Sequence, residues 1–222
     1  MTTEPSQSSQ SFLLPGSRSS GSLVIPAETA AVVLAAGGGT RFRDSAAARN
    51  LSIAHKLVAP LRGKTVFECA LTNVLDAGFS TIIVVTGSVR LPIAADPRVE
   101  EIHNEDWANG QATSLATAID ALTNRKDIRR LVVGLGDQPF IPAEAWQAVA
   151  VAEPGAAIVV ATYEGKRRNP VRLDRSVWDL VPKEGDEGAR PLFRSHGHLV
   201  IEVACQGEPA DIDTAEDLLR WS

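Results

Sequence analysis

Ala31-Val32-Val33-Leu34-Ala35-Ala36-Gly37-Gly38-Gly39-Thr40-Arg41-Phe42 is the stretch whose reading decides the fold. Its first half is a short, uninterrupted apolar run, the pattern of a strand buried on both faces. Three glycines follow, then a hydroxyl and a guanidinium. Glycine permits a sharp turn and lets backbone N–H groups approach a ligand with no Cβ in the way. Successive N–H groups turned into one concavity bind anions. Arg41 adds a planar fork for phosphate oxygens, and Lys56 a mobile point charge. The layout is that of a strand and loop that hold a polyphosphate. A glycine turn that closes a parallel strand is the plainer alternative.

Two common phosphate loops fail against this stretch. The P-loop needs four residues between its glycines and then Gly-Lys-Ser/Thr, which is absent. The dinucleotide fingerprint G-x-G-x-x-G fails at its sixth position, where Phe42 stands.

The pattern Leu34-Ala35-Ala36-Gly37-x-Gly39-x-Arg41, with a lysine downstream, resembles the N-terminal signature of the nucleotidyltransferases. Within them it most resembles the MobA/MocA-like group, which activates molybdenum cofactor by transferring a nucleotide. The Ala-Ala-Gly form is closer to the cytidylyltransferase branch than to the guanylyltransferase branch. The resemblance covers roughly residues 30 to 220. It implies a Rossmann-like three-layer α/β fold with a mainly parallel sheet. It also implies nucleotide binding by Leu34, Ala35, Ala36, Gly37, Gly38, Gly39 and Thr40, with Arg41 and Lys56 as catalytic cations. One departure stands out: Lys56 lies fifteen positions after Arg41, where the family has a few. Asp44 to Ala54 therefore reads as an insertion.

The chain has 222 residues, which suits one α/β domain with a core of its own. Residues 1–22 hold eight serines and little that could form a core, so they read as a disordered tail ahead of a domain over 23–222. Hydrophobic residues at 44% and charged residues at 22% are ordinary for a soluble globular protein. A net charge of −5 argues against general nucleic-acid binding, which needs a basic footprint. No apolar run approaches membrane-spanning length, and Phe12-Leu13-Leu14 is too short for a signal peptide. A cytoplasmic location follows by default. Cys69 and Cys205 sit inside a helical and a strand pattern and read as buried thiols, not as a disulfide or zinc site.

From Ala30 strands and helices alternate. Thr65-Val66-Phe67-Glu68 has the capping-box pattern and opens a helix running to Gly78. Strands are expected over Thr81–Val85, Arg98–Ile102, Leu131–Leu135 and Ala157–Ala161. Helices are expected over Ser114–Leu122 and Ala143–Ala152, the latter with Pro142 at its first position. This alternation implies right-handed crossovers and a mainly parallel sheet. From Tyr163 onward the pattern is less regular. In such sheets ligands bind beyond the carboxyl ends of the strands, and the polar motifs do follow the strands.

Gly110-x-x-x-Ser114 places a flexible residue and a hydroxyl at a helix start. Thr113 or Ser114 reads as an N-cap; alternatively Ser114 and nearby N–H groups read the base or sugar of a nucleotide, as in the similar stretch of MocA-like enzymes. Trp107 before it reads as a packing residue. Gly136-Asp137-Gln138-Pro139 sets a carboxylate at a strand end, where it is costly unless a cation meets it. Magnesium is the natural partner, since it prefers oxygen and bridges carboxylate to phosphate. The motif resembles the family's Gly-Asp-x-Pro, which assigns Asp137 to the metal. Asn169-Pro170-Val171 stands where the cytidylyltransferases carry His-Pro-Val. Gly185-Asp186-Glu187-Gly188-Ala189-Arg190 resembles another MocA-like segment. In it Asp186 reads as a helix cap, with a place near the acceptor as the alternative. His196 and His198 read as a solvated pair. Asp213, with Glu216 three residues on, reads as the N-cap of a final helix; by resemblance it is the second metal candidate.

These readings converge on attack of an acceptor phosphate on the α-phosphorus of a nucleoside triphosphate, with release of pyrophosphate. Such chemistry needs positioning and charge neutralisation more than a protein nucleophile. By resemblance the nucleotide is CTP, the acceptor a molybdopterin, the cofactor Mg2+, and a molybdoenzyme a possible partner. The alternatives are a sugar-phosphate acceptor, a nucleotide- or cofactor-binding module without turnover, and a nicotinamide-dependent oxidoreductase.

Overall fold

The opening apolar run forms β1 (Thr29–Ala35), buried along its whole length. The computed structural model describes residues 23–93 and 95–222; the expected tail at 1–22 lies outside them. After β1 the glycine loop turns into α1 (Thr40–Ala48). The expected insertion is thus partly an extension of this helix. Beyond it the chain folds back, with Leu51 N–H donating to the Ala46 carbonyl at 2.9 Å, and delivers Lys56 at the head of a single 3-10 turn. A two-stranded hairpin follows, β2 (Pro60–Leu61) and β3 (Lys64–Thr65). Then α2 (Val66–Ala77) is closed at its start by the expected Thr65–Glu68 capping box and at its end by Gly78, at φ 89°.

The alternation continues through β4 (Ile82–Thr86) and β5 (Val99–His103), then α3 (Gln111–Thr123) and β6 (Arg130–Leu135). Next come α4 (Ala143–Val151), β7 (Ile158–Tyr163), β8 (Lys166–Asp174), α5 (Arg190–Ser195), β9 (Val200–Ala204) and α6 (Ala215–Trp221). Seven strands form one sheet in the order β5-β4-β1-β6-β8-β7-β9. β1 pairs in parallel with both β4 and β6, Val33 lying between Val84 and Gly134.

Four local expectations need correction. α3 starts at Gln111, so Gly110 and not Thr113 or Ser114 occupies the cap position. Pro142 is the N-cap of α4, one place before the helix. Asp186 does not cap α5, whose N-cap is Ala189. The last helix is capped by Thr214 in a box with Asp217, not by Asp213 with Glu216. The Asp213 carboxylate is thereby free to serve elsewhere.

The less regular last third contains a hairpin. β7 turns through Glu164 and Gly165, both at positive φ, into β8, which runs antiparallel to β7 and to β6 and lies between them. Two consecutive positive-φ residues suit a tight hairpin turn. The strand was hidden by its composition, since Lys166, Arg167, Arg168 and Pro170 interrupt any apolar run. Arg172 within it is fully buried. Its guanidinium donates to the carbonyls of Ala150 at 3.0 Å, Glu153 at 2.7 Å, and Ala152. A cation there answers the partial negative charge at the C-terminus of α4.

Two apolar layers cover the sheet, one built on α3 and the other on α2 and α4. A third, smaller core joins Phe42 and Ala46 of α1 to Leu61, Val66, Ile212 and Leu218. That core brings the chain's end back to the glycine loop. Among the described residues Cys69 and Cys205 are free thiols, and no helix is long and apolar enough to cross a membrane.

Candidate active site

The glycine loop leaves β1 with the carbonyls of Ala36 and Gly37 occupied. The Ala36 carbonyl accepts from Ser88 N–H at 3.0 Å. The Gly37 carbonyl accepts from His55 Nε2 at 2.9 Å and from Ser88 Oγ at 2.7 Å. The N–H groups of Gly37, Gly38 and Gly39 donate to no backbone acceptor among the described residues. Gly39 takes φ 59° as the cap of α1, a left-handed conformation that suits glycine. Trp107 packs on the loop so closely that a Cβ at Gly38 would lie 2.9 Å from its ring, which accords with a packing role.

Facing the loop, three segments distant in sequence meet. Lys56 Nζ lies 2.5 Å from Asp137 Oδ2 and 2.7 Å from Asp213 Oδ1. Arg41 sits 3.0 Å from Asp213 Oδ2. The Lys56 and Asp137 side chains are 13% and 14% exposed, so their charges are poorly screened. Burial alone lowers the Lys56 ammonium's pKa, but the charges and hydrogen bonds of Asp137 and Asp213 outweigh it and raise the pKa. The long excursion after Arg41 therefore still delivers its lysine to the site. Asp137 is positioned by the end of β6, and the Asp137 carbonyl accepts from Ile212 N–H at 2.9 Å, which holds the 211–213 segment against it. Asp137 Oδ1 is buried with no hydrogen-bond partner among the described residues.

The loop and this charged cluster line one cleft of about 600 Å³. Leu34, Ala35, Ala36, Gly37, Gly38, Gly39, Thr40, Arg41, Lys56, Gly110, Ser114, Asp137 and Asp213 all border it. Every site residue expected from sequence is thus brought to one place. Asp186 and Arg190 border it too, which favours the reading of their segment as part of the site. The segment is tied to the start of α3 by Ala112 N–H donating to the Gly185 carbonyl at 2.9 Å. Asn169 stands further back. Its Nδ2 donates to Gln138 Oε1 at 2.9 Å, and Gln138 Nε2 donates to Asp211 Oδ1 at 2.6 Å.

Sequence reasoning missed His55, Ser88 and Asp211. Burial first, and then the charge of Asp137, push the Asp211 carboxyl up to about 6. The one signal available for His55 was its place beside Lys56; Asp211 looked like one more acid among the four of Asp211 to Asp217.

The chain that carries this cleft has relatives among known proteins. The model of the MobA-like NTP transferase domain matches residues 31–200. The chain belongs to this family. Among curated proteins it is 28% identical over 203 residues to nicotine blue oxidoreductase of Paenarthrobacter nicotinovorans, covering 85% of this chain and 94% of that protein. Among solved structures it is similar to Rv0371c from Mycobacterium tuberculosis H37Rv, with a TM-score of 0.71 and 28% identity over 88% of this chain and 97% of the other. The same protein in complex with manganese gives a TM-score of 0.68 and 29% identity over 87% and 97% of the two chains. As in the similar solved structures, the sheet is mostly parallel with helices on both sides.

Proposed function

We propose that this chain is a divalent-metal-dependent nucleotidyltransferase that moves an NMP group, CMP in the favoured case, from a nucleoside triphosphate to a phosphorylated acceptor. The observation that carries the reading is the cleft itself. It sets the unpaired amides of Gly37 to Gly39 opposite the Lys56–Asp137–Asp213 cluster. An acceptor phosphate oxygen bonds to the α-phosphorus while the bond from that phosphorus to the pyrophosphate oxygen breaks. Pyrophosphate leaves with the electron pair. The loop amides, Arg41 and Lys56 stabilise the charge that develops on the transferred and departing phosphates. Gly110 and Ser114, on the wall formed by α3, read the base or sugar.

The residues present fit a divalent ion. Asp137 Oδ1 is buried and unpartnered among the described residues, and Asp213 pairs with the same ammonium. Both offer hard oxygen donors. No group of three or more His, Cys, Asp or Glu is arranged to hold a metal among the described residues. Two carboxylates with substrate phosphates are the usual holders of Mg2+, and Asp137 and Asp213 are that pair here. When bound, the ion would supply charge neutralisation at the phosphates. Mg2+ is favoured.

Arg190 makes no ion pair among the described residues and borders both the cleft and a small slot behind it, lined by Leu115, Val133 and Phe193. It is suited to the anionic group of the acceptor. Molybdopterin is the favoured acceptor by family resemblance, a molybdoenzyme the partner that would receive the product, and the cytoplasm the place of action. A sugar phosphate is the alternative acceptor. A nicotinamide-dependent reading gains little from the relative's name. Phe42, where the dinucleotide loop needs glycine, is fully buried and packs α1 onto the third core. A module without turnover is disfavoured by the arrival of Lys56 in the site.

Pyrophosphate release tests the proposal. The full chain is incubated with each nucleoside triphosphate, Mg2+ or Mn2+, and either molybdopterin or a panel of sugar phosphates. Release with CTP and molybdopterin above all other pairs is expected. Release with a sugar phosphate alone would change the acceptor. No release with any pair, together with thermal stabilisation by NADH, would overturn the transferase.

A further inference from the structure

His55 lies outside every motif read from the sequence, yet it is 6% exposed and fully engaged. Its Nδ1 accepts from the Leu57 N–H at 3.2 Å, so the neutral ring carries its proton on Nε2. That proton goes to the Gly37 carbonyl at 2.9 Å. Ser88 adds Oγ to the same oxygen at 2.7 Å, and its N–H to the Ala36 carbonyl at 3.0 Å. In a planar trans peptide the C=O and the following N–H point in opposite directions. Holding the carbonyls of Ala36 and Gly37 therefore aims the amides of Gly37 and Gly38 the other way. Those amides have no partner of their own among the described residues. The same ring caps the turn that begins with Lys56. Burial lowers its pKa and keeps it neutral.

We infer that His55 is the positioning residue of the phosphate loop: as an Nε2–H ring it orients the Gly37 and Gly38 amides and seats the start of the Lys56 turn. The inference rests on the nucleotide reading above. It does not require that CTP be the nucleotide, and it gives His55 no contact with the reacting atoms.

Binding of CTP, inorganic tripolyphosphate and cytidine to the full chain is measured by calorimetry for the wild type, His55→Leu and His55→Gln, with melting temperatures alongside. Leucine fills the space without a donor; glutamine offers an amide N–H near the place of Nε2. His55→Leu is expected to weaken CTP and tripolyphosphate roughly tenfold, the scale of one lost hydrogen bond. Cytidine binding should be unchanged, and glutamine should recover most of the loss. Should the leucine variant not fold, Ser88→Ala, which removes the second donor to the same carbonyl, should shift the same two affinities in the same direction. Affinity for tripolyphosphate within twofold of wild type, or an equal loss for cytidine, would overturn the positioning role. If the wild type itself binds neither CTP nor tripolyphosphate, the nucleotide reading fails first. Nitrogen NMR of the His55 ring separates the two failures without any ligand: a proton on Nδ1 refutes this assignment alone.

Discussion

The two walls of the cleft are built by different means. On one side the loop from Ala36 to Thr40 presents backbone groups, contiguous in sequence, at the end of a strand flanked by parallel neighbours. On the other, Lys56, Asp137 and Asp213 present side chains delivered by three separate segments and held together by their charges. The backbone wall depends on conformation and on what holds its carbonyls. The side-chain wall depends on single groups, each of which neutralises another, so it is where one substitution does most damage.

The sharpest way to break that contrast is Asp137→Ala. It removes the carboxylate with the open oxygen and leaves Lys56 with Asp213 alone. Transfer activity, measured as pyrophosphate release, is expected to fall by at least about a hundredfold, the scale of losing one preorganised electrostatic group. Unchanged turnover would remove Asp137 from the chemistry.

Lys56→Met tests the same wall from the cation's side. Turnover should fall by roughly a hundredfold. Two largely buried carboxylates are also left without their ammonium, a change that costs about 3 kcal/mol when one partner of such a pair is removed. A divalent ion and the ammonium compete for the same oxygens, so Mn2+ should raise the melting temperature of Lys56→Met more than that of the wild type. An equal shift in both proteins would separate the ion from this site.

The backbone wall answers differently, and two glycines show it. A Cβ on Gly37 meets nothing within 4 Å, so Gly37→Ala should leave the melting temperature unchanged while weakening triphosphate binding, because the methyl enters the path of the ligand. Gly110 stands at φ 108°, and its Cβ would lie 2.5 Å from the Gly185 backbone. Gly110→Ala should cost about 2 kcal/mol of stability, which lowers the melting temperature by about 4–8 °C for a chain of this size. A Gly37→Ala protein that melts early but binds normally would reverse the comparison.

The same division explains what could be read in the chain before its structure. The loop and β1 were legible because their signal is local: an apolar run, then glycines whose amides, among the described residues, donate to no backbone acceptor. Asp137 was legible because a carboxylate directly after a buried strand is costly without a cation. Strand β8 was not, because Pro170 and a run of basic residues interrupt the apolar signal, and the terminal nitrogens of Arg172 bond to helix-end carbonyls that only the fold brings near. The cap of α6 was misplaced by one residue because Asp213-Thr214 and Glu216-Asp217 offer two overlapping capping boxes. The tertiary contact of Asp213 with Lys56 and Arg41 decides between them. His55 and Ser88 were silent because their role lies in a carbonyl eighteen residues from one and fifty-one from the other.

The smallest expected effect concerns Asp211, at the edge of the side-chain wall. Its carboxyl is raised from 3.8 to about 6 by burial and by the neighbouring Asp137. The folded state therefore holds this proton more tightly than the unfolded one. Its contribution to stability falls as pH rises from about 4 to about 6 and stays unfavourable above. His55 slopes the other way, since a lowered imidazole pKa makes stability fall as pH drops through and below 6.5. The two partly cancel in the wild type, so the difference between two proteins is the quantity to measure. Asp211→Asn keeps an oxygen to accept from Gln138 and removes the charge. Without metal, the variant should match the wild type near pH 4 and melt slightly higher at pH 7.5, while the His55 contribution drops out of the difference. The gain is modest because Asp211 as a whole residue is exposed to solvent. A variant that matches the wild type near pH 4 but melts lower at pH 7.5 would mean that the Asp211 carboxylate is stabilised by the Gln138 hydrogen bond more than it is penalised by burial and Asp137, and the two walls would then share their charge more evenly than their construction suggests.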